Sequence, residues 1–332
     1  MSSIEEGARN AVLICMGLRP TEHVLITADL AQLEIGRALE KEALAVTGME
    51  NVRLFVIENL SQRPLKELPK EIDESIPWAN VTFWAAQSLP GELPARHRFI
   101  DRAKKFARHG HMPNITSQLM EQGMRSNYDE VYTLTHKIYD IVKDARIIEV
   151  KSGLGSDLCV EFDKNWRWVA SDGKYHSKGR WGNLPEGEVF TAPMNVNGIL
   201  VTNLLGDWFS EKYGNFEDSL RLEIRNSVIQ LASIQCKNEK LTADLSKYLS
   251  TDINSPRASE FAMPTNPLLI SLPTVGNLLQ DEKARVHIAF GDPYRDETGA
   301  PWEAKTHVDM LLEACDVKVE GRIIMNNGKY II

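Results

Sequence analysis

The sequence is poor in several features that mark particular classes of protein. Its 332 residues include 38 Lys and Arg against 46 Asp and Glu, a formal net charge of -8. This balance argues against a nucleic-acid partner, because phosphate binding needs a basic face. No apolar run has the length of a membrane span, which argues against a membrane partner. The N-terminus, MSSIEEGARNAVLICMG, is acidic early, so we expect no signal peptide.

Cysteine is also scarce and scattered. No Cys-x-x-Cys is present among the four cysteines, which are Cys15, Cys159, Cys236 and Cys315. We therefore expect reduced thiols in a cytoplasmic protein, and any metal site must use oxygen and nitrogen ligands. The contents of 43% apolar and 25% charged residues are ordinary for a globular protein. A chain of this length can bury a core large enough for a closed site.

The first third of the chain alternates helical and strand patterns. Helical spacing extends over residues 4–17 and 30–47, and short apolar runs typical of buried strands occupy 23–29, 51–57 and 79–85. Strands that alternate with helices predict a parallel sheet with helices on its faces. No Gly-x-Gly-x-x-Gly follows the first strand, so the usual dinucleotide fingerprint is absent. We predict an α/β, Rossmann-like layered N-terminal domain at residues 1–148.

The pattern changes after a helix predicted at about 127–145. Short alternating runs between Gly and Asp turns predict strands at 146–150, 158–162, 198–202, 220–224, 316–320 and 322–325. Alternation of this kind is typical of antiparallel sheets. One helix, predicted at 237–249, interrupts the strands. We predict an α+β C-terminal domain with largely antiparallel strands at residues 149–332.

The stretch KTHVDML places His307 and Asp309 two residues apart among apolar neighbours. On a strand, such residues point to the same face. An imidazole and a carboxylate aimed at one spot hold a metal or orient a catalytic histidine. An isolated pair of this kind is more often a turn with two solvated side chains, so the interpretation depends on the rest of the chain.

Further candidates lie beside apolar strand segments of the same half of the chain: Glu188, Glu260, Glu282, His287 and Tyr294. Glu188 begins an apolar strand, where a buried carboxylate needs a partner; a structural salt bridge is the alternative. Glu186 lies in the preceding turn and is expected in solvent. By itself, His287 among Val, Ile, Ala and Phe is more typical of a core histidine, and Tyr294 of a packed turn residue.

Four motifs, in this order, resemble the thermophilic metallo-aminopeptidase family of aminopeptidases T and S: NLPEGEVFTAP, SEFAMPTNP, DEKARVHIAFGDPY and THVDML. HMPNIT and GSDLCVEF fit as well, so the resemblance covers most of the chain. It implies a homodimeric two-metal aminopeptidase. The implied ligands of the two Zn, Co or Mn ions, all in the C-terminal domain, are Glu188, Glu260, Glu282, His287, His307 and Asp309. We expect Glu260 to bridge the ions and Tyr294, which matches the family's active-site tyrosine, to donate to the tetrahedral oxyanion.

The same superfamily includes 2,5-dihydroxypyridine dioxygenase, which provides the main alternative. In that reading a single Fe(II) is held by His287, His307 and Asp309 and a dihydroxylated aromatic ring is opened. The dioxygenase lacks the glutamate that corresponds to Glu188, and a mononuclear site has no need of three additional glutamates. The sequence therefore favours hydrolysis of a peptide. A metal-free binding protein is a third reading, which the retention of all the ligand-type residues disfavours.

Some residues are not explained by the resemblance. Pro264 and Arg285 stand where the family has glycine, and these departures concern the substrate pocket rather than the metal site. His109 and His111 precede the Met-Pro motif and are expected at the surface, with substrate binding as the alternative. Three acidic residues of one loop are candidates for receiving the substrate's α-ammonium group, with solvated side chains as the alternative: Asp292, Asp296 and Glu297.

Overall fold

The computed structural model describes residues 3–332, which form two compact units. The first comprises the described residues through Tyr132 together with Asp172–Glu186, and the second comprises Thr133–Ser171 and Gly187–Ile332. The units differ from the sequence-based ranges 1–148 and 149–332 in two places. The helix Tyr128–Val142 is divided between them, and residues 172–186 return to the first unit.

The strands, in chain order, are β1 (Val24–Ala28), β2 (Val52–Val56), β3 (Val81–Ala85), β4 (Arg108–His111), β5 (Ile147–Lys151), β6 (Asp157–Glu161), β7 (Val169–Ser171), β8 (Trp181–Asn183), β9 (Glu188–Thr191), β10 (Asn195–Thr202), β11 (Leu220–Arg225), β12 (Val228–Ile229), β13 (Ala258–Pro264), β14 (Val286–Gly291), β15 (His307–Leu312), β16 (Asp316–Val319), β17 (Arg322–Asn326) and β18 (Lys329–Tyr330). The α-helices are α1 (Ser3–Arg9), α2 (Leu33–Thr47), α3 (Lys70–Ser75), α4 (Leu93–Phe106), α5 (Ser117–Glu121), α6 (Tyr128–Val142), α7 (Trp208–Tyr213), α8 (Glu239–Leu249), α9 (Pro267–Ser271), α10 (Leu278–Asp281) and α11 (Arg295–Thr298). A π-helix, Asn10–Cys15, continues α1.

The first unit is built on a five-stranded parallel sheet in the order β2-β1-β3-β4-β8. Helices connect its first four strands, as parallel pairing requires. In α2, the apolar residues Ile35, Leu39 and Ala43 recur at helical spacing and are buried, which gives the helix one core-facing stripe. The helix ends at Gly48, whose φ of 83° is accessible at low cost to glycine.

The second unit contains two antiparallel sheets. One has eight strands in the order β12-β11-β10-β6-β5-β16-β17-β18, and the other has five in the order β15-β14-β13-β9-β7. A single apolar cluster joins residues from both sheets and from α6 and α8, including Val160, Leu200, Leu245, Phe261 and Ile288. Each such side chain stabilises the fold by about 1.5 to 3 kcal/mol on burial. The sheet β15-β14-β13-β9-β7 contributes apolar side chains such as Phe261 and Ile288 to this core.

The structure confirms the predicted fold class, with a parallel α/β part and an α+β part whose sheets are antiparallel. Strands β1, β2 and β3 and helices α2, α6 and α8 lie within a few residues of the predicted ranges. Strand β4 was not predicted, because its sequence RHGH lacks apolar residues. Among residues 3–332, no helix combines the length and the apolar character needed to cross a membrane.

Candidate metal centre

Strand pairing in the five-stranded antiparallel sheet of the second unit brings the candidate ligands onto one face. Ala289 of β14 pairs with Glu260 of β13 on one side and with Asp309 of β15 on the other. Directly paired residues of antiparallel strands point to the same face, and His287 shares that face because it lies two residues from Ala289. His307 pairs with Gly291, which follows the same alternation. Gly291 has a φ of 119°, and a Cβ there would lie 2.0 Å from the carbonyl oxygen of Thr306.

Glu188 joins this face from the first position of β9. It pairs with Pro264 of β13, four residues from Glu260, so the two carboxylates share the face. The intervening residues of these strands point into the apolar core, where Phe261, Ile288 and Met310 are fully buried. The alternation of ligand and core residues therefore follows from the two-residue repeat of the strands.

Distances among the ligand atoms define two groups that share Glu260. In the first group, Nε2 of His287 lies 3.7 Å from Oε2 of Glu188 and 3.6 Å from Oε1 of Glu260. In the second, Nε2 of His307 lies 3.6 Å from Oε2 of Glu260 and 3.4 Å from Oδ1 of Asp309. Within each group the ligand atoms all lie within 4.8 Å of one another.

These separations fit divalent metal ions. At metal–ligand distances of about 2.0 to 2.2 Å, two ligands of one ion lie about 3 to 4 Å apart. Imidazole nitrogen and carboxylate oxygen are the donor set expected for Zn, Mn or Co. The structure therefore brings together five of the six predicted ligands. The two groups are close to each other, since Oδ1 of Asp309 lies 3.9 Å from Nε2 of His287.

Backbone carbonyl groups orient both histidines. Nδ1 of His287 lies 3.1 Å from the carbonyl oxygen of Arg285, and Nδ1 of His307 lies 2.8 Å from that of Asp292. A carbonyl oxygen only accepts, so each Nδ1 carries the proton. This leaves each Nε2 directed at the carboxylates, which is the usual second-sphere arrangement of a metal-binding histidine.

Burial and charge act against each other on these histidines. Burial lowers their pKa, but the neighbouring carboxylates outweigh it. The pKa of His287 is raised to about 9, with Glu260 and Glu188 as the leading causes, and that of His307 to about 10, with Asp309 and Glu260 leading. Conversely, burial raises the pKa of Asp309, but His307 and His287 lower it overall. The carboxylates of the cluster therefore favour the binding of positive charge, as protons on the histidines or as metal ions.

Glu282 and Lys283 form the edge of the cluster. Nζ of Lys283 lies 2.5 Å from Oε1 of Glu188 and 2.9 Å from Oε1 of Glu282, and the lysine is 2% exposed. Glu282 is buried, and burial is the main cause of the rise in its pKa. Within the described residues, Glu282 belongs to neither of the two ligand groups. Sequence reasoning missed Lys283, although a lysine directly after a candidate ligand in DEKARVH was the available signal.

Tyr294 lies beside the second ligand group. Its ring centroid is 4.7 Å from that of His307, and its backbone adopts the left-handed conformation, φ 50° and ψ 57°, which is uncommon outside glycine and concentrated at functional sites. The pKa of its hydroxyl is raised well above the usual value, first by burial and then by the charges of Glu260 and Asp309. The residue as a whole is 40% exposed.

A second set of contacts fixes the start of β15. The hydroxyl of Tyr248 donates to Oδ2 of Asp207 and accepts the backbone N–H of His307 at 3.2 Å. Burial is the main cause of the raised pKa of Asp207, and its φ is 54°. The preceding Gly206 is required by space, because a Cβ there would lie 2.6 Å from Oδ2 of Asp309. Sequence reasoning did not identify this set.

The acidic loop residues differ in environment. Oδ1 of Asp292 accepts the backbone N–H of Tyr294 at 3.0 Å, and its Oδ2 accepts that of Ala304 at 3.2 Å. The carboxylate of Asp292 therefore holds the loop together. Asp296 is exposed and Glu297 is half-buried, and their role toward an α-ammonium group stays a prediction.

Three residues expected at the surface are buried in the first unit, so these expectations were wrong. Glu186 is 2% exposed and accepts the hydroxyl of Tyr175 at 3.0 Å, because residues 172–186 pack into that unit. His109 and His111 are buried in β4, with Nε2 of His109 3.1 Å from Nδ1 of His111. Burial lowers the pKa of His109 to about 3, so this pair is neutral core structure.

Comparisons with solved structures agree with this architecture. AmpT from Thermus thermophilus is 18% identical, with a TM-score of 0.76 and 99% of each chain covered. A 2,5-dihydroxypyridine dioxygenase from Pseudomonas putida is 16% identical, with a TM-score of 0.72 and coverage of 100% of this chain and 98% of that one. At these identities the similarity establishes the fold. No curated protein sequence matches the chain.

The family comparison is more specific. The model of the thermophilic metalloprotease family (M29) matches residues 79–323, a range that contains every residue of the metal centre described above. The matched range therefore includes the four sequence motifs and both ligand groups. This chain belongs to the M29 family of thermophilic metalloproteases.

Proposed function

We propose that this protein is a metal-dependent aminopeptidase that releases N-terminal amino acids from peptides. The pair of ligand groups that share Glu260 carries the proposal. Membership of a metalloprotease family supports a peptidase hydrolase, and the order of the four sequence motifs favours an aminopeptidase. The homodimer and the cytoplasmic location remain predictions from the sequence.

The metal ligands and Tyr294 have separate roles in the proposed reaction. Glu188, Glu260 and His287 would hold one divalent ion and Glu260, His307 and Asp309 another. When bound, such ions would supply Lewis acidity for activating water and polarising the scissile carbonyl. Glu260 presents Oε1 to His287 and Oε2 to His307, so its two oxygens would contribute to holding an ion at each group. Tyr294 donates its hydroxyl hydrogen to the oxygen of the scissile carbonyl as negative charge develops there, because a preorganised donor stabilises that charge.

The direct test uses one peptide in two forms, with a free and with an acetylated N-terminus. The protein, loaded with Zn, Mn or Co, should shorten the free peptide from its N-terminus and leave the acetylated peptide intact, as followed by mass spectrometry. Glu260→Gln should lower the rate about 100-fold or more, since a bridging ligand supports several kcal/mol of transition-state stabilisation. Glu217→Gln, at an exposed position of the same unit, is the matched control.

Two results would reject the proposal. Cleavage of both peptides at internal bonds would indicate an endopeptidase. Retention of full activity by Glu260→Gln would move the chemistry away from this cluster.

A mononuclear Fe(II) dioxygenase is the second candidate. The observation in its favour is the placement of Oδ1 of Asp309 3.9 Å from Nε2 of His287 and 3.4 Å from that of His307, a two-histidine, one-carboxylate set. The additional buried carboxylates Glu188 and Glu260 favour the peptidase. Oxygen uptake with a dihydroxylated pyridine by iron-loaded protein would favour the dioxygenase instead.

A further inference from the structure

We propose that the two cation positions of the cluster differ in their affinity for metal, because Lys283 binds Glu188, which is a ligand of only one position. The position formed by Glu260, His307 and Asp309 binds a divalent ion first and tightly. The position formed by Glu188, Glu260 and His287 binds a second ion weakly. This inference rests on the proposed metal centre and adds an order of filling to it.

The contacts of Lys283 distinguish the two positions. Its Nζ lies 2.5 Å from Oε1 of Glu188, and Glu188 belongs to one group and not to the other. A charge-assisted hydrogen bond between an ammonium group and a carboxylate is among the stronger polar contacts in proteins. Oε2 of Glu188 still faces His287 at 3.7 Å, so the position is weakened rather than lost.

The charge of Lys283 also weakens metal binding at the position that contains Glu188. The ammonium group of Lys283 adds a fixed positive charge beside Glu188, and a divalent ion placed there meets a like charge at short range in a buried site, where screening by water is weak. The other position, which binds the tight ion, is surrounded by Asp309, Glu260 and the ring of His307. An ion at this position would neutralise Asp309, which forms part of that group alone.

A second carboxylate, that of Glu282, also holds Lys283 in place. Oε1 of Glu282 lies 2.9 Å from Nζ, and Glu282 follows α10 directly as its C-terminal cap. The lysine side chain is 2% exposed, so it has little freedom to leave the cluster. Glu282, which the family resemblance implied to be a metal ligand, acts instead as the residue that positions Lys283.

The test is a calorimetric titration of the chelator-treated protein with Zn²⁺, so that hydrolysis is not part of the readout. The unmodified chain should bind one equivalent tightly and a second about 10- to 100-fold more weakly. Lys283→Gln, which removes the charge and retains most of the length, should bring the two affinities within about threefold. Lys237→Gln is the matched control, because Lys237 pairs with Asp218 at the surface with 82% side-chain exposure.

Equal affinities in the unmodified chain, or the same gap in Lys283→Gln, would overturn the inference. A further variant covers poor folding of Lys283→Gln. Glu188→Gln should retain the first, tight equivalent and lose the second, and loss of the tight equivalent would also overturn it. Unequal zinc binding without peptide cleavage would reject the proposed function and leave this inference intact. Peptide cleavage by a protein whose two sites bind zinc with equal affinity would overturn this inference and leave the proposed function intact.

Discussion

Nε2 of His307 lies 3.4 Å from Oδ1 of Asp309, two residues along the same strand. The alternation of β15 puts both side chains on one face, and the hydrogen bond from Nδ1 of His307 to the carbonyl of Asp292 turns Nε2 toward the carboxylate. The sequence pattern His-x-Asp is thereby converted into two ligands of one site. Five predictions follow from this geometry and its surroundings.

Asp309→Asn should remove most of the metal from the protein while leaving the fold in place. The amide keeps the shape of the side chain but loses the charge that the ion neutralises, and the buried Asp309 belongs to the group with His307 and Glu260. We expect an affinity for Zn²⁺ lower by about 100-fold or more, measured by competition with a chromogenic chelator. Unchanged affinity would remove Asp309 from the ligand set. Asp218→Asn, at a surface ion pair, is the control.

Metal binding should release protons near pH 7. In the metal-free protein, carboxylates raise the pKa of His287 to about 9 and of His307 to about 10 against the opposite effect of burial. Both rings therefore carry a proton that must leave before Nε2 binds an ion. Apparent affinity should rise with pH up to this range. Calorimetry in buffers of different ionisation enthalpy measures the released protons, and a result of zero would contradict the shifted pKa values.

The same two groups predict the pH dependence of the metal-free fold. A histidine pKa raised above the unfolded value of about 6.5 stabilises the folded state fully below that value. This contribution is lost as the pH rises through about 9 and 10. The metal-free protein should therefore melt at a lower temperature near pH 10 than near pH 7, and scanning calorimetry at both values checks the sign.

Tyr294→Phe should lower kcat with little effect on KM or on metal content. Removal of one oxyanion donor costs about 10²- to 10³-fold in kcat, whereas the ring contact with His307 is retained by phenylalanine. Steady-state kinetics with an aminoacyl anilide separates the two constants. Tyr132→Phe is the control, because Tyr132 is 42% exposed and Tyr294 is 40% exposed. An effect on KM alone would assign Tyr294 to substrate binding.

Tyr248→Phe should weaken metal binding without contact between Tyr248 and the metal. The hydroxyl links Asp207 to the backbone N–H of His307, so its loss frees the first residue of β15. Partners that orient ligands typically change metal affinity by about 10- to 100-fold. Zinc titration measures this change, and Tyr213→Phe, which loses a hydroxyl that donates to Asp244, is the control. Equal zinc affinity in the two variants would show that Tyr248 has no positioning role.

The sequence predicts the elements of this fold well because local patterns determine them. Alternation identifies β5 and β11, whose buried and exposed residues alternate in the structure. The burial of Glu188 and His287 could also be read from their apolar neighbours. The family resemblance, rather than periodicity, then grouped the ligands, since they come from four strands whose register is not visible in the sequence.

Features that depend on contacts distant in sequence were not predictable. Glu186 and Glu188 lie two residues apart, yet Glu186 is buried in the first unit through residues 172–186, while Glu188 begins β9 in the second. His109 and His111 are polar residues in a core strand that pairs with β3 and β8. Lys283 and Tyr248 act on the site through partners about 95 and 59 residues away in the chain.

The most direct test of a metal centre at this cluster is the metal content of protein purified anaerobically without chelators. It is measured by elemental analysis of the unmodified chain and of Glu260→Gln. We predict zinc, manganese or cobalt at one equivalent or more per chain, and a marked loss of that metal in Glu260→Gln, because Glu260 belongs to both ligand groups. One equivalent of iron, or the same metal content in Glu260→Gln, would contradict a metallopeptidase centre at this cluster.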